Sequence, residues 1–376
     1  MKTACRPAQI RFSLASLAAA AAAWTLSCAA AWSATPPVAE PSATPAGITA
    51  NDLGLVINES DPLSVQIGEY YQQRRSIPAE NVVRVRLNVV PAMSRLEFAR
   101  VSKDVQLKLP SRVQVLALAW TQPYRVDCMS ITSAFATGFD ERQCVEGCQP
   151  TPFGVYFDSS SRKPYTDLRI RPTMMLAART FEDARALIDR GVASDGTAPR
   201  GTAYLLDTSD ANRNKRAPSF GFAQGMATDG LGVQVVKADL LRNRTDILFY
   251  FTGVMRVAEL RSNKFLPGAL ADHLTSAGGV LNGTDQMTAL EWLEAGATAS
   301  YGTVIEPCNF PGKFPNIAVA MRHYLDGETA IEAYWKSVLM PSQGLFVGEP
   351  LAAPFRGPNW TGISQARRQL HAAVHQ

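Results

Sequence analysis

The stretch from residue 53 to 120 decides the fold: LGLVIN (53–58), PLSVQIGEYYQQRRS (62–76), VVRVRL (82–87), SRLEFARVSKDVQLKL (94–109) and VQVLALAW (113–120). LGLVIN is a short apolar run of strand length, and Asp61-Pro62 opens a stretch in which Leu63, Ile67 and Tyr70/Tyr71 recur at helical spacing. VVRVRL alternates apolar and basic residues, a second amphipathic stretch follows, and VQVLALAW reads as a strand buried on both faces. This βαβαβ order predicts an α/β fold with a mainly parallel sheet flanked by helices.

Outward from that unit, residues 121–171 break the rhythm with Pro, Gly, Ser and three cysteines. The segment reads as a long, disulfide-stapled excursion over the surface, the kind of loop that carries function or acts as a lid. Alternation then resumes. The expected elements are the helix TFEDARALIDRG closed by Gly191, strand GTAYLLD (201–207), helix FGFAQGMATDGL, strand VQVVKA and strand ILFYFTG (247–253). After these come helix LPGALADHLTS (266–276), helix MTALEWLEAG, strand ATASYGTV, helices IAVAMRHYLDG and AIEAYWKSVL, and a final LFVG. Roughly 330 residues outside the N-terminal leader exceed the usual size of one core, which predicts two joined α/β halves, 48–200 and 201–376.

Residues 1–34 have the form of a signal peptide, with Lys2, Arg6 and Arg11 ahead of an Ala/Leu run and small residues near 29–33. Residues 35–47, TPPVAEPSATPAG, read as a flexible tether. An exported chain, periplasmic or extracellular, with no transmembrane segment after cleavage is the expectation. Three of the 37 basic residues and none of the 33 acidic ones fall in 1–34, which leaves 34 against 33 and a net charge of +1. That balance excludes the electrostatic footprint of a nucleic-acid binder. Cys128, Cys144, Cys148 and Cys308 remain in an oxidising compartment and predict two disulfides, with three pairings open.

No phosphate-binding loop, dinucleotide fingerprint, zincin helix or nucleophile-elbow string is present, and no cofactor is implied. Ligands of open α/β sheets bind beyond the carboxyl ends of strands. That rule selects Tyr124 and Arg125 after VQVLALAW, Thr252 after ILFYF, Asp272, His273 and Ser276, and Glu306, Cys308 and Asn309 after ATASYGTV. On a helix, His273 and Ser276 share a face, so that the imidazole could activate the serine; the bland reading is two residues satisfying backbone groups at a helix end. Cys308 is the candidate thiol and Glu306 a carboxylate partner. A metal-dependent hydrolase on Asp272, His273, Asp285 and Glu306 is a further alternative. Arg213, Lys215 and Arg216 read first as a solvated loop and second as an anion site.

The strings NESDPLSVQIGEYYQQRRSIPAENVVRVRL, LAWTQPYRVDCMSITSAFATGFD, PGALADHLTSAGG, EWLEAGATASYGTVIEPCNFPGKFP and EAYWKSV…QGLFVGEPLAAPF resemble an uncharacterised exported bacterial family of genomes that carry the exosortase system. The resemblance implies an envelope setting, with surface proteins or polysaccharide as partners, and no particular activity. A more distant likeness is to gingipain-type peptidases of the caspase-like fold, carried by YY-x-x-R-x-x-I-P at 70–78 and Gly348-Glu349-Pro350-Leu351. In those peptidases a His-Gly follows one strand and a nucleophilic Cys the next; the matching places here hold Thr252-Gly253 and Ser276. The resemblance therefore implies the fold with a degenerate site, and a binding or accessory role, with an active hydrolase using Ser276 or Cys308 and His273 as the alternative.

Overall fold

The computed structural model describes residues 47–145, 148–357 and 360. The expected signal peptide (1–34) and nearly all of the expected tether lie outside them. The strands are β1 (Leu53–Asn58), β2 (Val82–Val85), β3 (Ala92–Met93), β4 (Val115–Leu118), β5 (Arg125–Val126), β6 (Met129–Ser130), β7 (Thr173–Met175), β8 (Gly201–Asp207), β9 (Leu231–Lys237), β10 (Ile247–Thr252), β11 (Phe265–His273), β12 (Ala299–Thr303) and β13 (Gly344–Gly348). The helices are α1 (Pro62–Arg75), α2 (Arg95–Lys108), α3 (Ile131–Thr137), α4 (Pro164–Leu168), α5 (Phe181–Ser194), α6 (Gly221–Gln224), α7 (Ala289–Glu294), α8 (Ile317–Leu325) and α9 (Ala330–Ser337).

Ten strands form one sheet in the order β2-β1-β4-β7-β13-β12-β11-β10-β8-β9, and β3, β5 and β6 make a small second sheet. Every pairing in the large sheet is parallel except β12 with β13. β13 runs parallel to β7, so the sheet consists of two parallel blocks of opposite direction that meet at β12/β13. One strand supplies Leu53, Leu55 and Ile57 to the core shared with α1, α5, α8 and α9, and Val56 to the core with α2, α3 and α7. Burial on both faces explains why these strands read as continuous apolar runs. Among the described residues no helix is long and apolar enough to cross a membrane.

Three expectations need correction. Residues 266–276 are not a helix: Phe265–His273 is strand β11, paired on both sides by β10 and β12. The excursion is not all surface, because α3 is buried and Ser130, Thr132 and Ser133 place their hydroxyls on the Gly344 carbonyl of β13. Gly191 does not end its helix, since α5 continues to Ser194. A Cβ there would lie 2.6 Å from the Glu349 side chain, so this glycine permits close packing.

The cysteines pair as Cys128–Cys144 and Cys148–Cys308. A separate ion-pair latch joins the two most distinctive strings. Glu349 accepts the Tyr71 hydroxyl at 2.5 Å and pairs with Arg75 Nη2 at 2.5 Å, fully buried. Burial, reinforced by the Glu349 charge, pushes the Tyr71 hydroxyl well above its ordinary pKa. Tyr71 and Arg75 of the 70–78 stretch and Glu349 of the Gly-Glu-Pro-Leu motif thus meet in space as a structural clamp between α1 and the end of β13, while the motif's Arg74 pairs with Asp189.

Candidate functional site

The carboxyl ends of β8, β10, β11 and β12 lie at one end of the sheet, because these strands are mutually parallel. Those of β1, β4 and β7 lie at the other end. A single rim carrying every loop selected from the sequence therefore does not exist. Tyr124, after β4, is nevertheless tied to the loop after β11, its hydroxyl donating to Asn282 Oδ1 at 2.7 Å. Arg125 sits in β5 and turns back on the Asp127 carbonyl at 3.4 Å.

At the β10–β11 end, successive residues of β11 point to opposite faces, so Asp272 and His273 enter different environments. Asp272 is fully buried and pairs with Arg216 Nη1 at 2.6 Å. Burial raises its carboxyl pKa, opposed by the Arg216 charge. Arg216 comes from the loop after β8 and also donates to the Thr252 carbonyl at 2.9 Å. His273 is fully buried, and its Nδ1 accepts the Trp292 indole N–H at 2.8 Å. Burial, with the Arg216 charge adding to it, pushes the imidazole down to about 3. It is therefore neutral at physiological pH, with its proton on Nε2 and its basic nitrogen occupied. An imidazole in that state has no lone pair free to take a proton from a nucleophile.

Ser276 lies three residues beyond the strand, half-buried, and among the described residues no hydrogen bond joins it to His273. Its segment is strapped from both sides. Thr303 Oγ1 donates to the Ser276 carbonyl at 3.0 Å, and Gln286 Oε1 accepts from Thr275 Oγ1 at 2.6 Å and Ala277 N–H at 2.9 Å. Arg213 spans the gap to Thr275 Oγ1 at 3.2 Å while paired to Asp210 at 3.0 Å. Its backbone covers Gly253, where a Cβ would fall 2.1 Å from the Arg213 carbonyl oxygen. The Thr252-Gly253 corner is thereby closed by the loop after β8, and only glycine fits beneath it.

The other candidates are dispersed. Cys308 is in a disulfide and is not a free thiol. Glu306 is exposed and accepts the Cys308 backbone N–H at 2.7 Å, a turn carboxylate. Asn309 follows at φ 56°, half-buried, and Asp285 is exposed on the loop after β11. Among the described residues no three His, Cys, Asp or Glu side chains converge to hold a metal ion. The metal reading on Asp272, His273, Asp285 and Glu306 loses its ligand set, since Asp272 is committed to Arg216. Sequence reasoning placed Trp292 in the core and left Arg216 in a solvated loop; these two residues set the state of His273 and Asp272. The density of cations at 213–216 was the available signal for Arg216.

No family model matches the chain, and no curated protein matches it. Among solved structures it is similar to one described as "Structure of Protease", at 11% identity over 82% of this chain and 80% of that chain, with a TM-score of 0.45. It is also similar to the complex of pro- and mature domains of RgpB from Porphyromonas gingivalis, at 8% identity over 80% of this chain and 79% of that one, with a TM-score of 0.47.

Proposed function

We propose that this chain is a non-catalytic binding or accessory protein of the bacterial envelope, acting in exosortase-linked surface-protein processing on a degenerate caspase-like sheet. The observation that carries the reading is the state of His273, buried, neutral and with Nδ1 filled by Trp292. The sequence-derived imidazole base is thus built into the core, Glu306 caps the Cys308 backbone, and Cys308 is consumed by Cys148. Two disulfides agree with an exported setting. No observation favours the alternative of an active hydrolase.

The test uses the purified oxidised protein against peptide and ester libraries and a serine-directed fluorophosphonate, beside crosslinked pull-downs from envelope extracts. The expected result is no turnover, no labelling of Ser276 and specific capture of envelope partners. Turnover that disappears in Ser276→Ala overturns the reading.

A further inference from the structure

We propose that the cavity between the loops after β8 and β12 binds the C-terminal residue of a peptide, its carboxylate met by Lys215 and Arg216 and its apolar side chain by Phe157, Phe314 and Leu339. The inference rests on the binding reading above and supplies it with a ligand class.

The cavity holds about 220 Å³, room for a single residue. It opens at the carboxyl ends of two parallel strands, where α/β sheets place ligands. Its charged lining residues are Lys215 and Arg216, and among the described residues no acidic one lines it. Lys215 is exposed and makes no ion pair among the described residues. Arg216 is 4% exposed, and Asp272 holds one of its terminal nitrogens, but its Nε has no hydrogen-bond partner among the described residues. Two cationic side chains on one cavity wall offer a ligand carboxylate charge-assisted hydrogen bonds. Asn316, which caps α8 through Val319 N–H, lines the same cavity and brings the positive end of the helix dipole to it.

The remaining walls are mostly apolar, with Phe157, Phe314, Leu339 and three prolines beside Ser219 and Ser337. A ligand matching both features must carry an anion and an apolar body within one residue. An Asp or Glu side chain supplies the anion alone, whereas an apolar C-terminal residue supplies both. Pockets of this kind, mostly apolar with a few convergent polar groups, are the usual form of a specific site.

The test is calorimetric titration of the purified oxidised protein with three acetylated peptides: one ending in Phe with a free acid, its C-terminal amide, and an amidated peptide with an internal Asp. The free acid is expected to bind at least roughly tenfold more tightly than either amidated peptide. Lys215→Glu, at an exposed position, is expected to weaken the acid by a similar factor with an unchanged melting temperature. Lys237→Glu on β9, also exposed, is the control and should leave binding intact. Equal binding of acid and amide, equal binding of the internal Asp peptide, or full affinity in Lys215→Glu each overturns the proposal. If peptide binding fails while envelope partners are still captured, the pocket is wrong and the binding role stands. Catalytic turnover overturns the role itself.

Discussion

Replacing Asp272 by Leu keeps the branching at Cγ and removes the charge, which leaves the Arg216 guanidinium buried without its counter-ion. Removing one partner of a buried pair costs about 3–5 kcal/mol. For roughly 300 ordered residues, each kcal/mol moves the melting temperature by about 1.6 °C, so the loss should be about 5–8 °C. Arg216→Met behaves differently because Asp272 can protonate. Its carboxyl is already raised by burial, and the Arg216 charge is what holds it down. With that charge gone, the folded state keeps a proton that the unfolded chain releases above about pH 4. Stability then falls as pH rises, by about 1.4 kcal/mol per unit until the folded pKa is reached. Arg216→Met should therefore sit near the parent at pH 4.5 and well below it at pH 7.5, while Asp272→Leu, with no titrating group, lacks that slope. The double variant should recover most of the loss, since replacing a whole buried pair by apolar groups is near neutral. Urea midpoints from tryptophan fluorescence, without reductant, measure all four proteins at both pH values. Additive costs in the double variant would falsify the view that the two residues act as one buried unit.

His273 has a folded pKa near 3, below its ordinary value, so its contribution is present above about pH 6.5 and is lost as pH falls toward 3, at about 1.4 kcal/mol per unit; His273→Gln should flatten the acid limb of the stability profile, and an unchanged limb would show that the imidazole is not held neutral. Thiol titration of the denatured, unreduced protein should find none of the four core cysteines free. By loop length, opening Cys148–Cys308 across 160 residues should cost more than opening Cys128–Cys144 across 16, about 5 against about 3 kcal/mol, and the reverse order in urea unfolding would contradict the pairing. Glu349→Gln should cost about 1–3 kcal/mol, since Arg75 loses a charge-assisted bond to a buried carboxylate but keeps its ion pair with Asp195, and Tyr71→Phe about 1–3 kcal/mol; equal melting temperatures for parent and Glu349→Gln would remove the latch from the account of stability.

The first βαβαβ unit was legible because its helices are half-buried and its caps are local. Asp61 accepts from Leu63 N–H and Ser94 from Glu97 N–H, signals that lie within three residues of the helix start. β11 was illegible for the opposite reason. LPGALADHL is broken only by Asp272 and His273, both buried, and an element buried on both faces shows no periodicity to separate strand from helix. The candidate pair His273 and Ser276 failed with it, because the shared face existed only on a helix. The α6 region was also overread: the helix spans only Gly221–Gln224, and a turn leads into β9. The number of disulfides followed from the cysteine count, and their partners did not, since sequence spacing is silent on which loops meet.

By itself, the sequence determined the α/β class, the strand–helix rhythm, the spread of polar residues onto strand ends and the absence of standard catalytic strings, all properties of local pattern and composition. Tertiary structure alone decided that the sheet reverses direction at β12/β13, so that the strand ends form two rims instead of one. It alone gave Trp292 to His273, Arg216 to Asp272 and Arg213 to the roof over Gly253. Those assignments depend on contacts between residues 19 to 56 positions apart along the chain, and whether an imidazole is a base or a core residue is set by what surrounds it, which no spacing along a chain records.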